Sequence, residues 1–568
     1  MQYTRKTPGV YVTELSAFPP SIVGVQTAVP AFIGYTEKAE ISGKPAYLKP
    51  IKIGSLADYE AVFGGRYKPI YKIDPVTSPT LINQNKYDFK VFDPTSTPHS
   101  PPASPLASPP ASPPDTPPIM KYYNLTQVAD SHFNLYNSMR LFYANGGGNC
   151  YVVSVQNYEQ VTTVQLSDLV AGLNVIREQV GPTMLVIPDA VLLPPSTPPT
   201  GTKPPYSADF MTLIQLMLAQ CQDLQDRVAI LDLYGTQYIN RIVPATGTTS
   251  AYTATLDDVV GNFRTEVGEK SLNYGMAYFP FLNTTVVPVS DFDYTNFNDS
   301  ADAQNLTLLK TILTWQNQNL YYKDGVATPR SKAVQADIDK IPTTLTGTDV
   351  TKLNQNINAS IPLLGDMLNI IVAKNDVLPP SGAMAGVYTW VDTTRGVWNA
   401  PANITLSAVE ETTYKLNDTQ QGDLNVPVNG KAVNAIREFV GRGQVVWGAR
   451  TLDGNSNDYR YIQVRRTLIY IEQSVKTALN PFVFAPNDGN TWVTVTSMVS
   501  NFLQGLWSAG GLMGATAADA FTVQCGLGST MTGLDILNGY MIVQVTLQMI
   551  RPAEFIELTF KQKMEGVS

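Results

Sequence analysis

At 568 residues the chain is longer than one hydrophobic core usually serves, and its length points to roughly three or four domains. A hydrophobic share of 44% is ordinary for a folded protein, and a formal net charge of -8 disfavours nucleic acid as the default partner without excluding a local basic patch. No apolar run is long enough to span a bilayer, and the opening MQYTRKTPGVYVTELSAF lacks the continuous apolar core of a secretory signal, so folding in the cytoplasm is expected.

In chain order, TPGVYVTEL predicts a strand over Val10, Tyr11, Val12 and Thr13, ended by Pro19-Pro20 and with no partner close by in sequence. VPAFIGYT (29–36) predicts a buried strand. SLADYEAVFGG (55–65) predicts a short helix with Ser55 as N-cap, Asp58 in the capping-box position and Gly64-Gly65 as the stop. Residues 94–118, PTSTPHSPPASPLASPPASPPDTPP, carry too much proline for core and predict an extended exposed insert, a spacer or else a PxxP ligand. LPPSTPPTGTKPPY (193–206) is a shorter one. Helices over 132–148, 166–179 and 207–226 alternate with apolar strands over 150–155, 183–190, 227–233 and 274–281, the texture of an α/β layer on a mainly parallel sheet.

Polar, Asn/Thr-rich residues 284–376 predict a helical embellishment. LPPSGAMAGVYTWVDTTRGVWNAPAN (378–403) predicts a structural turn: Pro379 and Pro380 end one segment, Asp392 and Arg395 lock the turn, and Asn403 opens the next element. A strand follows over 444–452, then a long helix over 459–479, in which Tyr461, Val464, Leu468, Ile471 and Val475 form one apolar stripe. A second helix over 490–511 and strands over 521–525, 541–550 and 555–564 complete the chain. The class is α/β with α+β mixing.

Chemistry finds few footholds. The two histidines, His99 in the proline insert and His132 at a helix start, have no supporting motif for a Ser-His-Asp or Cys-His site. Cys150, Cys221 and Cys525 are odd in number, far apart and free of CxxC spacing, so they read as small buried residues. GEKS (268–271), GRGQVVWG (441–448) and GLGSTMTG (526–533) miss the spacing of phosphate loops, and DFDYTNFND (291–299) lacks the Gly and Glu of a calcium loop. No cofactor or metal is expected. Asp189 and Asp232 end apolar strands where parallel sheets bind ligands, and are the remaining catalytic candidates; a carboxylate there also caps turns and helices. On the long helix Arg460, Arg465, Arg466 and Lys476 outweigh nearby acids, giving either a solvated face or a contact for an acidic partner.

Both chain ends read as strands without local partners, a liability unless they pair within the chain or add to a neighbour's sheet. TPGVYVTEL followed by VGVQTAVPAFIGYT, then FGG (63–65), ANGGGNCYVVSV (144–155), DRVAILDL (226–233), YGMAYFPFL (274–282), PPSG…RGVW…APAN and NDYRYIQVRRTLIYIEQSV (457–475), resemble in order the landmarks of contractile tail sheath proteins. The resemblance implies a non-enzymatic subunit of a phage tail or phage-tail-like injection particle, assembled in the bacterial cytoplasm. It implies stacked hexameric rings around an inner tube, baseplate and terminator proteins as further partners, and contraction from a metastable extended state.

By that resemblance the chain divides into an N-terminal arm and linker (1–28), a first part of the core (29–155), a middle α/β domain (156–376), an assembly domain (377–552) and a C-terminal arm (553–568). Val10, Tyr11, Val12, Thr13, Phe555, Ile556, Leu558 and Phe560 become inter-subunit strand residues, and Arg460, Arg465, Arg466 and Lys476 the inner-tube contact. The alternatives are a hydrolase-like enzyme using Asp189 or Asp232, and a passive shell protein.

Overall fold

PAFIGYT is buried at every position, as a strand covered on both faces must be, and it lies inside the largest sheet, two strands from one edge. The structure is a computed structural model that describes residues 22–94, 120–128, 133–161, 163–199, 202–240, 242–243, 252–299, 302–341 and 347–559. The expected strand with Val10, Tyr11, Val12 and Thr13, the proline insert from 95 onward, both histidines and Phe560 lie outside those residues.

The strands of the main sheet are β1 (Pro30–Thr36), β2 (Ile51–Ile53), β3 (Cys150–Asn157), β4 (Met184–Val186), β5 (Val228–Leu231), β6 (Gly275–Phe279), β7 (Ile404–Thr405), β8 (Asn434–Phe439) and β9 (Gly443–Val446). They lie in the order β7-β9-β8-β6-β5-β4-β1-β3-β2. The central pairings are parallel, and the edges β2 and β8-β9-β7 are antiparallel. The boundary expected between residues 155 and 156 therefore runs through this sheet, because β1 pairs with β3 on one side and β4 on the other.

Helix α1 (Leu135–Ala144) packs against helix α2 (Ser381–Thr394), which occupies the segment expected to be a turn. Pro379 and Pro380 precede its first residue, where proline does not interrupt helical hydrogen bonding, and ten of its fourteen residues are buried. Small residues let the helices approach: a Cβ on Gly382 would sit 2.8 Å from the Ser138 carbonyl oxygen, and one on Gly386 2.5 Å from that of Phe142. Asp392 does not pair with Arg395; the Arg395 guanidinium lies 4.9 Å from the centre of the Trp390 ring. Asn403 takes a left-handed φ of 59° and donates its N–H to the Val446 carbonyl, so it joins the sheet edge.

Among the described residues, three apolar cores organise the packing. The first surrounds the main sheet and draws residues from 31 to 282 and from 378 to 469. The second joins helices Ala303–Tyr321, Pro329–Asp339, Thr348–Ser360 and Pro362–Asn375 to an antiparallel sheet of Tyr71–Pro75, Phe89–Phe92 and Met120–Gln127. Phe92 pairs with Met120, so the chain enters and leaves the proline insert at adjacent points of that sheet. The third lies between helix α3 (Ile462–Leu479), helix α4 (Gly489–Ser508) and a hairpin of β10 (Phe521–Gln524) and β11 (Gln544–Leu547).

Candidate assembly surface and the charges behind it

The two strand-end aspartates face inward. Asp189 accepts the Asn134 N–H at 2.6 Å and the Tyr35 N–H at 3.1 Å, and so holds the entry of α1. Asp232 accepts the N–H of Ser381, the first residue of α2, at 2.9 Å. Each carboxylate meets the positive end of a helix. Burial pushes Asp189 up to about 6 and Asp232 up to about 7, and the amide bonds restrain both rises. Both groups are buried and bind the backbone N–H at helix starts, joining elements distant in sequence. Within GRGQVVWG, Gly441 and Arg442 form the β8–β9 turn, and in DFDYTNFND the Asp293 side chain caps a short 3-10 helix.

Helix α3 departs from its one-stripe reading. Its first half is enclosed on every side: Ile462, Gln463, Val464, Arg465, Arg466, Thr467 and Ile469 are all buried. Arg466 makes a two-pronged pair with Asp392 at 2.8 and 2.6 Å, donates to the Thr27 carbonyl at 3.1 Å and lies 4.6 Å from the centre of the Tyr388 ring. Arg465 pairs with Glu472 at 3.2 Å and lies over the Tyr274 and Tyr459 rings. These two arginines are therefore engaged within the subunit, which leaves little of either side chain exposed for the inner-tube contact expected of them. Arg460 is half-buried and donates to the Ser456 carbonyl at 2.9 Å; Lys476 is exposed. The Asp392–Arg466 pair was not readable from spacing, since 74 residues separate its members.

The described N-terminal residues run along α3. The Val25 N–H donates to Ser474 Oγ at 3.1 Å, and an added Cβ on Gly24 would lie 2.1 Å from the Tyr470 hydroxyl. Between this segment, Val180–Thr183 and α3 lies a cleft of about 470 Å³, lined by Val23, Pro182, Val397, Ile469 and Tyr470 among others.

On the far side of α3 and α4, the β10–β11 hairpin turns Val523, Val545 and Leu547 inward and Thr522, Gln524, Gln544 and Thr546 outward. Among the described residues it is a sheet of two strands, with a single bridge from Met549 to Leu512 beside it, and an unpaired strand edge is a template for further strands. The chain then continues through 551–559 without joining any sheet among the described residues, and Phe555, Ile556 and Leu558 are 75%, 80% and 74% exposed. Large apolar side chains exposed close together mark an interaction surface.

Residues 455–563, which contain α3, α4, the hairpin and the exposed segment, match the family model described as the phage tail sheath C-terminal domain. The tail sheath protein of Burkholderia phage BcepMu is 28% identical over 144 residues, and this alignment spans 24% of the chain and 30% of that relative. Two solved structures share the fold over almost the whole length. One is the PVC sheath complex of an extracellular contractile injection system in its contracted state, with 24% identity, 99% of each chain covered and a TM-score of 0.53. The other is from the anti-feeding prophage baseplate, with 23% identity, 99% of this chain and 100% of that chain covered and a TM-score of 0.53.

Proposed function

We propose that this chain, which carries a phage tail sheath C-terminal domain on the fold of contractile sheath proteins, is the repeating structural subunit of a contractile sheath. Copies stack as hexameric rings around an inner tube, with a baseplate at one end and a terminator at the other, in a phage tail or an extracellular injection particle assembled in the bacterial cytoplasm. The observation that carries this reading is the pairing of an open two-stranded hairpin with an exposed apolar C-terminal segment on one domain. An apolar segment left exposed, and a strand edge left largely unpaired, among the described residues are complementary between copies. Head-to-tail contacts of that kind propagate into rings and helical arrays.

No nucleotide or metal is required by this reading. Free energy is stored in the contacts between subunits, and contraction is a change from one packing to another. Of the basic residues expected at the inner tube, exposed Lys476 and half-buried Arg460 are the ones available to it. The hydrolase reading loses its footing because both of its aspartates are committed to helix caps.

Removing residues 555–568, which leaves the Glu554–Arg450 pair in place, tests the assembly role. The truncated subunit is expected to keep its far-UV circular dichroism and melting temperature while forming no long tubes by electron microscopy. Tubes of parental length from the truncated chain would contradict it.

A further inference from the structure

Glu554 is the last anchored residue before the exposed segment. Its carboxylate gathers donors from three separate places in the chain. Arg450 donates through Nε at 2.9 Å and through Nη2 at 2.5 Å, Asn425 through Nδ2 at 3.2 Å, and the Tyr461 hydroxyl at 3.3 Å. The Glu554 side chain is 17% exposed and that of Arg450 5%. Burial opposes ionisation of Glu554, but the guanidinium bonds outweigh it and hold the carboxyl below its usual range. Arg450 is itself fixed, since its N–H donates to Asn434 Oδ1 at 2.7 Å and its backbone bridges Tyr461 beside the start of α3. One residue beyond Glu554, the side chains become largely exposed.

The other end of the chain is held on the same helix. Thr27 is bound by Arg466 and Val25 by Ser474, while Ile22 packs on the third core.

We propose that Glu554, with Arg450, Asn425 and Tyr461, is a positioning clamp that sets where segment 555–558 leaves the subunit, so that a second copy of this chain receives it in a fixed place. Helix α3 ties that exit to the N-terminal one. The inference rests on the sheath reading for its partner and on the side-chain geometry for its mechanism. An unclamped apolar segment samples many directions, including its own subunit's surface, and each residue ordered on capture costs backbone entropy. Fixing the root beforehand removes part of that cost.

The test uses the full chain and two variants, Arg450→Ala and Asn425→Ala, neither of which alters the sequence around Phe555. In the unassembled subunit, chymotryptic cleavage after Phe555 is expected to rise roughly tenfold in Arg450→Ala and about threefold in Asn425→Ala, with unchanged near-UV circular dichroism in the second. Assembly is expected to give shorter tubes in the same order. Unchanged cleavage in Asn425→Ala would overturn the clamp, and faster cleavage with tubes of parental length would overturn its role in presenting the segment. If the parent chain forms no tubes at all, the sheath reading fails, while the cleavage rates still decide the clamp.

Discussion

Arg466 is a cation enclosed by one carboxylate, one backbone carbonyl and one aromatic ring. Removing it alone leaves Asp392, whose side chain is 2% exposed, as an unpaired buried charge. Arg466→Ala is expected to lower unfolding stability by about 3–5 kcal/mol, while Arg466→Met with Asp392→Leu recovers most of the loss, as read by urea titration. An additive double variant would contradict the pairing. At this scale the sequence reveals charge but not partnership. Arg466 could be counted among the basic residues of its helix, yet nothing local showed that a carboxylate 74 positions away would be brought against it.

The same scale carries a pH prediction. Asp232 titrates at about 7 when folded, against an ordinary carboxyl near 3.8, because burial disfavours its charge. The folded state thus holds the proton more tightly than the unfolded one. Its contribution to stability is full below about pH 4 and falls as pH rises through about 7. Asp232→Asn keeps an acceptor for the Ser381 N–H and removes the titration. The variant is expected to lose less stability than the parent between pH 4.5 and 7.5, by on the order of 1–3 kcal/mol. Parallel stability curves for the two proteins would contradict this.

Among elements, the α1–α2 contact shows why small residues mattered in 378–403. Gly382 and Gly386 admit the backbone of α1, so a branched side chain at 386 has to push two helices apart. Gly386→Val is expected to destabilise by about 1–3 kcal/mol. Gly422, inside helix Asp418–Asn425 with nothing within 4 Å of an added Cβ, is the contrasting site, and Gly422→Ala is expected to stabilise by about 0.5–1 kcal/mol. Thermal melts of both variants check the pair, and equal effects would refute the packing argument. The buried strands and the capped helices were legible because their signals are local. Ser55 accepts from the Asp58 N–H as its spacing implies, and PAFIGYT is buried throughout. Helix α2 was not legible, because proline, glycine and alanine suggest a turn until a neighbouring helix gives the small residues something to pack against.

Over the whole molecule, sequence reading recovered the alternating strands but not the path that closes the sheet. After β6 the chain leaves for the second core and returns through α2 before β7, β8 and β9 complete the edge. Only long-range packing decides that return, so boundaries drawn along the sequence cut through the sheet. The third core, the open hairpin and the exposed segment stand apart from the sheet and lie within the residues that match the sheath C-terminal domain.

The proposed sheath subunit requires contacts between copies with two stable packings, and electron microscopy of particles assembled from this chain and an inner tube tests that most directly. Two populations are predicted, one long and narrow, one short and wide, with the first converting irreversibly to the second. Particles of a single length and diameter under every condition that disrupts the long form would contradict contraction and leave a passive shell.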